Sequence, residues 1–238
     1  MPTTRPTVVA RGRFPNLDEL NIDLSDGTIR TTIRPTSLKA VHKSVPVTTV
    51  KSFSYEACPL HDEEASENLK ITASNAKLEL IRGHGEKEVL VMTDASDGQV
   101  QFYMTLADLR SLVHDAAGEN GGRAVFFVSD TNLTMASDNP HSLQATLSVR
   151  GFWLLIPTAI TLSGRIDIDR DFNATLSALS CTGTEAGGPL LAAFINNSLK
   201  KFDGKSMPLA GFPGNHLKLR DVHISVDDTL RINAAFGD

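Results

Sequence analysis

The sequence predicts an α+β protein in which long, strongly bent antiparallel β-sheets wrap two amphipathic helices. Three observations predict it. Most of the chain alternates apolar and polar residues with a period of two, as strands with one buried face do. Two segments, Thr105–Ala117 and Pro189–Phe202, change to the 3.6-residue period of a helix. The order strand, helix, strands then occurs twice, over Glu86–Gly151 and over Gly164–Phe236, as a pseudo-repeat.

The N-terminal part is the least regular. Thr28–Arg34 and Pro46–Phe53 alternate and are rich in β-branched residues, whose stiff side chains suit a pleated surface. Tyr55–Asn68 (YEACPLHDEEASEN) is polar, acidic and without a period, and is expected to be a loop. From Leu69 the alternation is clearer, with Ala76, Leu78 and Leu80 on one face. Gly83 and Gly85 punctuate the chain before a strand over Glu88–Thr93, and Asp97-Gly98 predicts a tight turn that hands the alternation to Val100, Phe102 and Met104 as a hairpin.

At Thr105 the period changes. Thr105 and Asp108 have capping-box spacing, with Asp in place of the usual Glu, and Leu106, Leu109, Leu112, Val113 and Ala116 share one helical face. Gly118 is the expected stop. Strands follow over Arg123–Val128, Asn132–Ala136 and, past the turn Asp138-Asn139-Pro140, Leu143–Arg150.

In the second copy Ile160, Leu162, Gly164, Ile166 and Ile168 give a long strand one apolar face, and Asp169-Arg170-Asp171 turns it into Phe172–Leu179. Gly187-Gly188-Pro189 opens a helix, with proline suited to its first position, and Leu191, Phe194, Ile195, Leu199 and Phe202 form the stripe before Gly204 stops it. The last strands alternate at Leu217 and Leu219, slip near Asp221 as at a β-bulge, and resume at Val222, Ile224 and Val226 before Leu230, Ile232 and Ala234. Three segments result: residues 1–68 (strands and acidic loop), 69–151 (first repeat) and 152–238 (second repeat), expected to form one continuous domain.

Composition bounds the function. The chain of 238 residues is 41% hydrophobic and 21% charged, ordinary for a globular protein able to bury a core. A net charge of −5 and a pI near 5.8 give no general attraction for nucleic acid. Lys200-Lys201 sits at a predicted helix end, where cations offset the helix dipole. Cys58 and Cys181 are too few for a disulfide scaffold or zinc site, leaving one long-range bridge or two free thiols. The start MPTTRPTVVARGRF lacks a signal-peptide core, and no run approaches the ~20 apolar residues of a membrane span. A complete chain is expected in the cytoplasm, and one whose export signal was removed in the periplasm or outside the cell.

No catalytic constellation emerges. His61-Asp62-Glu63-Glu64 has metal-ligating residue types, but neighbours in an acidic loop do not by themselves converge on one ion. His216 and His223 lie near or on one strand without a third ligand or a nucleophile, and the glycine-rich GHG, GENGG and GTEAGG lack the spacing of a phosphate cradle. No G-x-S-x-G elbow is present. No catalytic residue, metal or cofactor is assigned.

The segments LTMASDNPHSLQATLSV, GPLLAAFINNSLKKFDGKSMPL and LKLRDVHISVDDTLRINAAFG make the chain, over about Leu69–Phe236, resemble the tubular lipid-binding (TULIP) superfamily. Its members roll a long antiparallel sheet around helices to make an apolar tunnel. The resemblance implies non-enzymatic binding or transport of a lipid or other elongated apolar molecule, and no invariant signature carries individual residues over. On the helix stripes and facing strands the candidate lining residues are Phe102, Leu109, Val113, Phe127, Leu191, Phe194 and Ile195, each of which would equally serve a solid core. Phe152-Trp153-Leu154-Leu155-Ile156-Pro157 interrupts the alternation, and Trp153 there is a candidate contact for lipid or a membrane interface. The competing expectations are a solid-cored assembly module working through protein contacts, homo-oligomeric ones included, and, further off, a hydrolase.

Overall fold

The computed structural model describes residues 7–25, 27–28, 44–61, 66–82, 88–121, 126–209 and 217–238. In chain order the elements are β1 (Thr7–Arg13), β2 (Asn16–Asp23), β3 (Gly27–Thr28), β4 (Ser44–His61), β5 (Ser66–Arg82), β6 (Glu88–Asp94), β7 (Asp97–Thr105), α1 (Leu106–Gly121), β8 (Phe126–Ala136), β9 (Ser142–Trp153), β10 (Ile156–Ile168), β11 (Asn173–Thr184), α2 (Gly188–Leu199), β12 (Ser206–Pro208), β13 (Leu219–Val226) and β14 (Thr229–Phe236). Strands dominate the described residues, and the helices are short, 16 and 12 residues.

The strands form two sheets. One follows the order β1-β2-β4-β5-β7-β14-β13, with β3 paired to β4 and β6 to β5. The other is a five-stranded antiparallel meander, β12-β11-β10-β9-β8. The chain divides into two compact units: Met1–Tyr103 with Ala210–Val222 and Ile232–Asp238, and Met104–Leu209 with His223–Arg231.

In the first unit, opposed residues line up across strands: Leu20 beside Phe53, Phe53 beside Ala73, and Ala73 beside Gly98. Leu20, Phe53 and Ala73 join Val50, Ala76, Leu78, Ala95 and Phe236 in one core. A Cβ on Gly98 would lie 2.2 Å from the Phe236 ring, so this glycine makes room for an aromatic side chain.

The expected hairpin at Asp97-Gly98 is therefore corrected. β6 and β7 do not pair with each other: β6 pairs with the Lys77–Arg82 end of β5 and β7 with its Asn68–Ser74 end. The break at Ala95-Ser96 faces a distortion of β5, where Asn75 has a φ of 51° and donates to Ser96 Oγ, while the Ser96 N–H donates to the Ser74 carbonyl. The acidic loop is corrected too. β4 extends through Tyr55 to His61 and β5 begins at Ser66, so most of that stretch is paired strand, Ala57 being fully buried. Asp62–Glu64 and nearly all of Thr28–Arg34 lie outside the described residues.

The second unit is a sheet with a helical layer on one face. Leu133, Leu147, Leu162 and Cys181 are opposed in turn across β8 to β11, and so share a face, as do Thr131, Val149 and Ile160. Thr131 Oγ1 meets His114 Nδ1 of α1 at 3.3 Å, and Val149, Ile160 and Cys181 pack with Ala192 of α2. Both helices thus cover the same face of the same sheet. That overturns the expected fold class, in which bent sheets wrap a helix each: the first pseudo-repeat is divided, with β6 and β7 in one sheet and β8 and β9 in the other. The helical period marked the elements correctly but carries no information on which strands a helix meets.

The N-terminal caps follow the sequence, and the C-terminal stops do not. Thr105 Oγ1 accepts the Asp108 N–H at 3.0 Å and donates to the Asp108 carboxylate at 2.5 Å. Gly118 does not stop α1, which continues to Gly121. Pro189 does lie in the first turn of α2, and the helix ends at Leu199, short of Phe202.

Candidate functional site

α2 is fixed to the sheet at two places. At its start, Gly187 donates its N–H to the Pro157 carbonyl, and Gly183 and Gly188 touch backbone to backbone. Further along, the Asn196 amide accepts the Cys181 N–H and donates to the Cys181 carbonyl, both at 2.7 Å. β12 pairs only with Asn173–Thr175, so the side chain takes the place of a neighbouring strand at that edge. Burial under the helix pushes the Cys181 thiol above its ordinary pKa. Cys58 and Cys181 are both free.

Beside the C-terminal end of α2 the helical layer leaves the sheet open. An apolar groove of about 190 Å³ lies there, with Ala145, Leu147, Leu162 and Gly164 as floor and Leu179 and Leu199 beside them. A bulge shapes it. The β10–β11 register shifts between Ser163 and Arg165, and Ala178 has a φ of 53°. A Cβ on Gly164 would come within 2.7 Å of the Leu179 side chain, so the glycine leaves that space to the leucine.

The opposite end of the sheet carries an exposed apolar tip. Trp153 and Ile156 face each other across a two-residue loop, Leu154-Leu155, with φ of 50° and 66°. Positive φ at both central positions is the geometry of a type I′ turn, which favours Asn-Gly and costs a leucine about 1–2 kcal/mol per residue. Leu155 is 83% exposed and Leu154 53%, with Phe127, 64% exposed, paired beside an exposed Phe152.

The predicted lining residues disperse. Phe102 belongs to the first unit, half-buried in the row Ala57, Leu69, Phe102. Leu109 and Val113 are half-buried on α1, which packs on β8. Leu191 and Ile195 pack against Val149, Ile160 and Cys181 beneath α2. Phe194 is on the opposite side of that helix, 75% exposed. Phe127 and Trp153 both lie at the hairpin end of the sheet but on opposite faces, Phe127 opposed to Phe152 and Trp153 to Ile156. His223 is exposed on β13, while His216 lies outside the described residues, as does Asp62–Glu64 beyond His61.

The groove residues were not singled out, although Leu162, Gly164 and Leu199 stood on predicted apolar faces. The signal that marks the groove is the β11 bulge, and alternation alone does not reveal a bulge. Compared with known protein families, curated proteins and solved structures, the chain matches none.

Proposed function

We propose that the protein binds a lipid or another elongated apolar molecule without transforming it, and that the second unit's groove receives the apolar chain. The observation that carries this reading is the groove itself: an open concavity of about 190 Å³ lined by Ala145, Leu147, Leu162, Leu179 and Leu199, with Ser163 and Gly164 between them. Concave apolar surface of this kind takes apolar ligands, with few polar groups fixing orientation.

Magnitudes limit what the groove does alone. With a methylene taken to fill about the ~30 Å³ of a liquid water, about six fit. At ~0.8 kcal/mol for each one fully buried they contribute at most about 5 kcal/mol in so open a groove, a Kd no tighter than about 0.2 mM before ordering costs. The groove would thus hold the end of a chain and release it readily, as exchange of cargo requires.

The test is uptake of a fluorophore-labelled fatty acid, alongside native mass spectrometry and solvent extraction of purified protein. Ala145→Phe puts a ring into the groove floor and is expected to lower uptake at least tenfold with the circular dichroism spectrum retained. Unchanged uptake by that folded variant, or no uptake by the wild type, would sink the proposal.

A further inference from the structure

We propose that the β9–β10 hairpin tip is a bilayer-docking element that places Leu154 and Leu155 in the interfacial zone of a neutral phospholipid surface. The inference deepens the lipid reading above by naming where such a protein meets its lipid. Three observations converge on it.

The first is conformation. A two-residue hairpin loop is where Asn-Gly relieves strain, yet this chain holds two leucines there at positive φ. The geometry turns both side chains outward at the end of the sheet, where they pack in no buried cluster and Leu155 is the most exposed large apolar residue described. Strain kept in a conformation that exposes apolar side chains points to a use for those side chains.

The second is size. Leu154, Leu155, Ile156, Phe127 and Phe152 are all exposed. Ile156, paired with Trp153, lies on the helix-covered face and Phe127, paired with Phe152, on the other, so the five surround the end of the sheet and present on the order of 500 Å² there, taking roughly 200 Å² for a whole large side chain. Divided between two faces, that area falls well short of the ~800 Å² per partner of a stable protein interface. A second copy or a protein partner would need further surface, whereas a bilayer asks only for a few apolar side chains. Trp153, half-buried at the base of the turn, is the residue type that sits at headgroup level.

The third is charge. Residues 151–157 carry no ionisable side chain. Among the described residues, the nearest ones along the strands, Asp130 and Arg150, are directly opposed, and Glu185 follows the strand end where Thr184 faces Ala159. Among the described residues this end has no basic collar, so it suits zwitterionic lipid and gains nothing from anionic lipid.

The experiment is flotation with phosphatidylcholine vesicles, comparing the full chain with L154N/L155G. That replacement suits the turn better than the native pair, so loss of binding cannot be laid to misfolding. The wild type is expected to float, equally in 0.1 M and 0.5 M salt and with no gain from added phosphatidylserine, with a blue shift of Trp153 fluorescence. The variant is expected to lose at least tenfold in partitioning. Ala145→Phe should float normally, and L154N/L155G should still take up labelled fatty acid from solution, so the docking and cargo readings fail separately. Equal flotation of the variant overturns the inference, as does no flotation of the wild type. Binding that requires phosphatidylserine, or tip-dependent self-association in sedimentation without vesicle binding, also overturns it.

Discussion

A methyl group added at Gly183 would sit 2.0 Å from the Gly188 carbonyl oxygen, with nothing but backbone to yield. Gly183→Ala is expected to cost about 1–3 kcal/mol by overpacking, read as a lowered denaturation midpoint with an unchanged slope. A wild-type midpoint would show that the start of α2 is free to move away from the sheet. At the tip the same reasoning has the opposite sign. Leu154 and Leu155 occupy a conformation that asparagine and glycine adopt cheaply, so L154N/L155G is expected to raise stability by about 1–2 kcal/mol. Paired with lost vesicle binding, the gain would mark the leucines as kept for function at the expense of stability; a loss of stability would instead make them structural. Side-chain identity conveyed part of this. The run Phe152–Pro157 stood out by breaking the alternation, but its exposure depends on where the loop falls, two residues beyond the last pair.

At the scale of elements, the turns were the most legible because their chemistry is local. Asp169 follows β10, and its carboxylate accepts from the Asn173 side chain, the Asn173 N–H and the Asp171 N–H, which hold it below the ordinary 3.8. Asp227, between β13 and β14, is lowered by the Thr229 N–H and the Arg231 guanidinium. Both folded-state values lie below the unfolded ones. Their stabilisation is therefore complete above about pH 4 and disappears as pH falls through the lowered values. D169N/D227N is expected to flatten the urea-midpoint profile below pH 4 while leaving the profile between pH 5 and 7 parallel to wild type. An unaltered acid limb would remove these turns from the pH dependence. Pairing was less legible. Asp97-Gly98 has turn chemistry, yet Gly98 serves Phe236, a residue 138 positions later, and no local pattern records such a contact. Phe194 fits the helical stripe by spacing from Leu191, but α2 buries the side centred on Ala192, and Phe194 stands opposite.

Over the whole chain, period showed which residues form strands and helices but not which strands become neighbours, and that is why the two helices were assigned to separate sheets. The chain order hides a further feature: each unit is closed by the C-terminal strands. β13 supplies buried Val222 to the first unit and buried Ile224 to the second, and β14 supplies Leu230 to the second and Phe236 to the first. In the second unit the Ile224 N–H donates to the Pro140 carbonyl, and the Leu106 N–H at the start of α1 donates to Asp228. In the first, the Gly237 N–H donates to Lys218 and Arg220 pairs with Asp97. Deleting residues 219–238 therefore removes core side chains from both units at once. Losing even one large buried apolar side chain costs about 2–5 kcal/mol, against a total stability of about 5–15 kcal/mol for a domain. The truncated chain is expected to lose its native β-sheet circular dichroism and its dispersed amide NMR spectrum throughout, with Trp153, far from the deletion in sequence, becoming fully accessible to acrylamide. A truncated chain that kept native-like resonances for residues 126–209 would show that the meander and α2 fold without their C-terminal strands, and that the second unit's stability resides in the helix-covered sheet.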